Sequence, residues 1–196
     1  MKGIKIRRPG IVEKFMDRGI IREIIDILDS DEFFARFNED LKDAGDQVLI
    51  FSPFVAKEHR FPKIKEMLKE VVERGAKVKL ITLPIEIVKK RHPKSEKVVK
   101  QCLRELKEAG VEIYGRDSHI KAAIIDDKVL YIGSLNILSQ WDKPDVMVRI
   151  SGPTRLGIIP KLISGRAKEK IRPPKEEEKL VLEDGAIHNK LKGREK

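Results

Sequence analysis

The chain has 196 residues, 40% hydrophobic and 38% charged, which is enough for one compact domain with short extensions. That apolar share is too high for a disordered chain, and no uncharged apolar run approaches the roughly 18 residues of a spanning helix, so a soluble globular protein is expected. Lys and Arg number 42 against 32 Asp and Glu, a net charge of +10, which favours a polyanionic partner through phosphate contacts and counterion release, nucleic acid first and anionic lipid second.

Lys2, Lys5, Arg7 and Arg8 are followed by Pro9-Gly10 and an amphipathic stretch. No secretory signal is read there, and the expected location is the cytoplasm. Ile20, Ile21, Ile24, Ile25 and Leu28 recur at helical spacing, and Phe33, Phe34, Phe37 and Leu41 begin a second such run after the cap signal Asp29-Ser30-Asp31. Residues 1–45 therefore read as a helical segment. From residue 46 the period changes. Val48 to Phe51 is a short buried-strand run, and the stripe Ile64, Met67, Leu68, Val71 and Val72 marks a helix ending at Arg74-Gly75; Val78, Leu80 and Ile81 mark a second strand.

A further helix carries Val98, Val99, Cys102, Leu103 and Leu106, stops at Gly110, and leads into the strand Val111 to Tyr114. This alternation predicts an α/β domain, residues 46–165, whose sheet is mixed, mostly parallel, and flanked by helices. Three more strands follow, Lys121 to Asp126, Val129 to Ile132 and Asp145 to Ile150, the first two joined by a tight turn at Asp126-Asp127-Lys128. Residues 166–196 hold ten basic and seven acidic residues with little apolar periodicity, and read as a charged, flexible tail. Cys102 stands alone, which excludes a disulfide framework and a cysteine zinc cluster. Gln and Asn are scarce beside abundant Lys and Glu, a composition resembling that of hyperthermophile proteins.

The stretch richest in chemistry runs from His119 to Asn136. His119 and Lys121 share strand parity, so they project into one site, while Asp126 has the opposite parity. Histidine serves as nucleophile or proton carrier near neutral pH, and an adjacent ammonium neutralises a phosphate. Ser134 and Asn136 follow Gly133, whose missing side chain lets short polar groups approach an anion. Outside this stretch, Lys89, Lys90, Arg91, His92 and Lys94 form a basic loop suited to phosphate contact. Arg116 and Arg149 are candidates to line the same cleft. Tyr131 and Trp141 are the nearby polar-tipped aromatics, with packing as the expected role of Trp141.

His119, Lys121, Asp126, Gly133, Ser134 and Asn136 fill every defined position of the pattern H-x-K-x4-D-x6-G-S-x-N. The segment resembles the HKD motif of the phospholipase D superfamily, and the chain from about residue 30 to 165 is similar to single-motif nuclease-type domains, including those attached to helicases. The resemblance implies that His119 attacks phosphorus to form a phosphohistidine, that Lys121 and Asn136 hold the non-bridging oxygens, and that Ser134 supports the phosphate loop. Asp126 would be structural, and Asp145 would orient His119. It further implies that the second histidine comes from a homodimer partner, and that no metal or other cofactor is needed. A helicase or other DNA-processing protein is a possible partner on the same grounds. No membrane association is expected.

The activity so implied is that of a metal-independent phosphodiesterase or endonuclease on nucleic acid, DNA before RNA. Two alternatives remain open at this stage. One is a lipid phosphodiesterase, and the other a non-catalytic nucleic-acid-binding module whose pocket only grips phosphate.

Overall fold

From Gln47 to Gly115 strands and helices alternate: β2 (Gln47–Phe51), α2 (Phe61–Glu73), β3 (Lys77–Thr82), α3 (Ile85–Arg91), α4 (Glu96–Glu108) and β4 (Glu112–Gly115). Ahead of them lie β1 (Ile24–Leu28) and α1 (Ser30–Lys42), and after them β5 (Ala122–Ile125), β6 (Val129–Gly133) and β7 (Met147–Ser151). This computed structural model describes residues 24–57, 60–139 and 144–152. The expected helix before residue 24, the tail 166–196 and Trp141 lie outside the described residues.

Local chemistry explains most of these boundaries. The Asp29 carboxylate accepts the amides of Asp31 and Glu32 while Glu32 reaches back to the Asp29 amide, a reciprocal cap that starts α1. Pro62 fits the first turn of α2, where no amide donor is needed. Gly75 and Gly110, at φ +94° and +86°, let the chain turn out of α2 and α4. The three-residue turn joining β5 to β6 has φ of 51° at Asp126 and 52° at Asp127, and the Lys128 amide closes it onto the Ile125 carbonyl at 2.9 Å.

The seven described strands form one sheet in the order β1-β7-β6-β5-β2-β3-β4. Only β2 with β3 and β3 with β4 pair in parallel, and the other four pairings are antiparallel. The sheet is thus mixed as expected, but its parallel share is smaller than the helix-strand alternation implies. The reason is that, among the described residues, β5, β6 and β7 follow one another without the crossover helices that parallel pairing requires.

Two further expectations are corrected. Ile24 to Leu28 is an edge strand rather than part of a helix: Asp26 pairs across to Arg149 and Ile27 to Val148 on β7. Its five residues fit either period, and a partner far along the chain decides the outcome. The basic residues Lys89, Lys90 and Arg91 end helix α3 rather than lying in a loop, where positive charge complements the carboxyl end of the helix dipole.

The buried side chains of all four described helices, Phe33, Phe37 and Leu41 of α1, Ile64 and Leu68 of α2, Ile85 and Val88 of α3, and Cys102, Leu103 and Leu106 of α4, share one core with Val48, Ile50, Val78, Leu80 and Ile125 of the sheet. Phe51, Ile81, Ala122, Ile124 and Leu130 make a second, smaller cluster on the other face. Cys102 is fully buried; burial and then the nearby Glu105 push its thiol up to about 11, so it stays protonated and unreactive at neutral pH.

Two polar devices tie distant segments together. Arg149 of β7, only 5% exposed, donates two hydrogen bonds to Asp40 of α1, at 2.7 and 2.9 Å, and others to Asp26 and Ser151. Tyr131 of β6 donates its hydroxyl to the same Asp40. Burial opposes the Arg149 charge, but Asp40 outweighs it and holds the guanidinium pKa above its ordinary value. The second device is Asp126, whose carboxylate accepts the amides of Gly45, Asp46 and Gln47, each at 2.9 Å. Burial tends to raise its pKa, yet the three amides together bring it below the ordinary carboxylate range.

Replacing Asp40 by Ala strands a buried guanidinium, and is expected to destabilise the fold by about 3 kcal/mol, read as a lower urea midpoint at unchanged slope. Asp126→Asn is expected to cost about 1–2 kcal/mol at neutral pH. Because the folded pKa of Asp126 is depressed, that contribution is fully present above pH about 4 and is lost as pH falls through the folded value. Chemical denaturation of both proteins across pH 2–7 should therefore give stability curves that converge toward the acid end.

Candidate active site

Strand direction brings the loops of interest to one edge. β2, β3 and β4 run parallel, so the loops after Phe51, Thr82 and Gly115 emerge on the same side, the side where open α/β sheets bind ligands. β5 runs against β2 with Ala122 opposite Phe51, so the approach to β5, which carries His119 and Lys121, starts at that edge. β6 ends there, with Ile132 opposite Ala122, and β7 begins there, with Met147 opposite Gly133. His119, Lys121, Gly133, Ser134, Asn136 and Asp145 are thereby gathered at the carboxyl ends of β2 to β4.

His119 is exposed, and its side chain makes no hydrogen bond or ion pair among the described residues. The amide that follows it, at Ile120, donates to Ser118 Oγ at 3.2 Å, which shapes the approach to β5. Lys121 is half-buried and its ammonium likewise has no partner among the described residues, while its carbonyl accepts the Gly133 amide at 3.3 Å. That bond sets the His119 and Lys121 segment directly beside the Ser134 and Asn136 segment. Residues 119–121 precede β5 rather than lying within it, so the expected strand parity does not set the two side chains; an unpaired ammonium and an unpaired imidazole on one short segment are groups that attract a phosphoryl group.

Ser134 joins β6 to β7. Its Oγ donates to Asp145 at 2.7 Å and accepts the Val146 amide at 3.1 Å, and its own amide donates to the Val146 carbonyl at 2.9 Å. The Asp145 carboxylate is thus engaged by Ser134, and no bond from it to His119 is present. Asn136 is half-buried, with its Oδ1 enclosed and lacking a hydrogen-bond partner. Gly133 is required for a reason spacing does not reveal: a Cβ there would lie 2.1 Å from the Val146 carbonyl and 2.9 Å from Met147 Cα. Close approach of two strands demands the glycine.

The remaining candidates fall into two groups. Arg116 is exposed on the same edge, where its amide continues the ladder to the Thr82 carbonyl at 2.8 Å. Arg91 pairs through both guanidinium branches with Asp117, at 3.0 and 2.9 Å, two residues before His119. His92 packs edge-on against Phe54 of the loop after β2, with ring centres 5.3 Å apart. The basic end of α3, with Lys89 and Lys90 exposed, is therefore anchored to the loops that bear the site.

Asp126 and Arg149 lie elsewhere. Asp126 sits at the opposite end of β5, fixing β2 as described above, and Arg149 is buried under α1 in its ion pair with Asp40. Tyr131 is fully buried against Phe33 and Phe37.

One residue escaped the sequence reading. Ser52, fully buried at the end of β2, accepts the Leu138 amide and donates to the Phe54 carbonyl. Its only trace in the sequence is a hydroxyl at the close of an apolar strand. Among the described residues, no group of three or more His, Cys, Asp or Glu is arranged to hold a metal ion, and no helix is long and apolar enough to cross a membrane.

Residues 37–150 match the profile of the family described as cardiolipin synthase, PLD-like domain. Among solved structures, the chain is similar to Nuc, a phospholipase D family member from Salmonella typhimurium, at 16% identity and a TM-score of 0.54, over 73% of this chain and 88% of that one. It is also similar to phosphatidylserine synthase from Haemophilus influenzae, at 15% identity and a TM-score of 0.55, over 76% of this chain but only 39% of the synthase. At these identities the likeness is one of fold. No curated protein matches the sequence. The family match spans more than half of the chain, from Phe37 in α1 to Ile150 in β7, and the chain belongs to the phospholipase D-like, or HKD, superfamily.

Proposed function

We propose that the chain is a phosphodiesterase that cleaves nucleic acid, DNA before RNA, through a covalent phosphohistidine at His119 and without a metal. What supports this reading is that the strand register brings the segments bearing His119, Lys121, Ser134 and Asn136 to one end of the sheet, with the imidazole and the ammonium unpaired among the described residues. Family membership supports phosphodiester chemistry. The net charge of +10 and the anchored basic end of α3 favour a polyanion over a single headgroup phosphate.

In this mechanism a ring nitrogen of His119 attacks phosphorus, and the bond to the leaving oxygen breaks as the nitrogen–phosphorus bond forms. Lys121 and Asn136 hold the non-bridging oxygens, whose charge rises in the transition state. A second His119, from the other copy of a homodimer, gives its proton to the leaving oxygen. Now neutral, it takes a proton from water, whose oxygen attacks phosphorus and releases His119. Ser134 and Asp145 brace the loop between β6 and β7, and Arg116, Lys89, Lys90 and Arg91 contact neighbouring phosphates.

Labelled single- and double-stranded DNA should be cut in excess EDTA, and His119→Ala should lower turnover by at least about a thousandfold with an unchanged melting midpoint, since the side chain is exposed. Normal cutting by that variant would overturn the mechanism. Reversing Lys89 and Lys90 together to Glu should weaken DNA binding and flatten the dependence of log K on log salt by about 1–2 units, roughly 0.9 per lost phosphate contact. An unchanged slope in salt titrations would remove α3 from the binding surface.

A further inference from the structure

The segment that carries Ser134 and Asn136 is gripped from outside its own hairpin. Ser52, at the end of β2, donates its hydroxyl to the Phe54 carbonyl at 2.9 Å and accepts the Leu138 amide at 3.2 Å. Alongside, the Ala56 amide donates to the Leu138 carbonyl at 3.0 Å. Both polar groups of Leu138 are therefore held by the loop after β2, two residues beyond Asn136. Leu135, Ile137 and Leu138 are buried on either side of Asn136, and the Ser139 amide closes a turn onto the Asn136 carbonyl at 3.2 Å.

A hydroxyl is suited to this place because it donates and accepts at once. Ser52 has no exposure to solvent, so its loss leaves the Leu138 amide with no water to turn to. The relief of that unpaired amide is movement of the segment. Asn136 Oδ1 is enclosed and unpartnered, so no side-chain hydrogen bond at that oxygen fixes its position.

Resting on the phosphodiesterase reading, we infer that Ser52 is a positioning residue for phosphoryl transfer: through Leu138 it sets where Asn136 meets the phosphate. Thr82 supplies an internal control. Its hydroxyl is equally buried and donates to the Pro53 carbonyl in the same loop at 3.2 Å, but makes no hydrogen bond to the segment 134–139.

The test compares Ser52→Ala, Ser52→Cys and Thr82→Val in the full chain, with bis(p-nitrophenyl) phosphate turnover and amide hydrogen exchange as readouts. Ser52→Ala should lower kcat by about 10- to 100-fold, the loss expected of a slightly misplaced site, with KM changed less than about threefold. Ser52→Cys, which keeps a weaker donor and acceptor in similar space, should fall between it and the wild type. Thr82→Val should stay within about twofold of the wild type. The Leu138 amide should exchange faster in Ser52→Ala and not in Thr82→Val. Equal kcat losses in the Ser52→Ala and Thr82→Val variants, or no loss in Ser52→Ala, overturns the inference while the phosphodiesterase reading stands. A wild type that turns over no phosphodiester overturns that reading instead; unchanged exchange at Leu138 then overturns the Ser52 linkage as well, and faster exchange confined to the Ser52 variants upholds it.

Discussion

The antiparallel seating of β5 against β2 is the constraint on which the rest of the molecule depends. At one end of this pair, the Asp126 carboxylate collects the amides of Gly45, Asp46 and Gln47 just as β2 begins. A charged acceptor holding three backbone donors is among the stronger local ties a protein surface offers. With that end fixed, the register Phe51 opposite Ala122 follows. Lys121 and His119 must then arrive at the carboxyl end of β2, where the parallel strands also open. Every later strand inherits the alignment, since β6 pairs with β5 and β7 with β6.

The two sides of the sheet and its edge divide the work. Aliphatic and aromatic side chains from all four described helices fill one face, where burial of apolar surface supplies most of the stabilisation. Arg149 and Asp40 cross that interior as a hydrogen-bonded pair, joining α1 and the outer strands β7 and β1 to the remainder. Such a pair adds little net stability relative to an apolar replacement, but it is intolerant of losing one partner. At the carboxyl ends of the strands, by contrast, Asp145 is held by Ser134 and Arg91 by Asp117. His119 and Lys121 are left unpaired among the described residues, and such unsatisfied groups are the ones available to bind and react.

One fold neighbour is a phosphatidylserine synthase, so the scaffold by itself does not choose a substrate. On a shared fold, function is set by the groups around the strand ends. Here that surround includes the basic end of α3, tethered by Arg91 to Asp117 and by His92 to Phe54. Each tether joins the basic end of α3 to a loop that emerges at the same end of the sheet as His119 and Lys121.

The sequence by itself determined the local units and the spacing of the motif. The helical stripes at Ile64 to Val72 and Val99 to Leu106, the cap at Asp29 and the turn at Asp126-Asp127 are set by side-chain periodicity and backbone preference, and they appear at those residues in the structure, whereas Val98, expected on the same stripe, is exposed. The motif from His119 to Asn136 was equally legible, because its spacing spans one hairpin and needs no distant partner. Tertiary structure decided what depends on pairing between remote segments. Ile24 to Leu28 became a strand because β7 lay open beside it, and Arg149 turned into the core because Asp40 of α1 waits there. Gly133 answers to the Val146 carbonyl, and Ser52 to the Leu138 amide 86 positions away. Those contacts leave no period in the chain, since a single hydrogen bond or a close backbone approach fixes a residue only once the strands are already side by side.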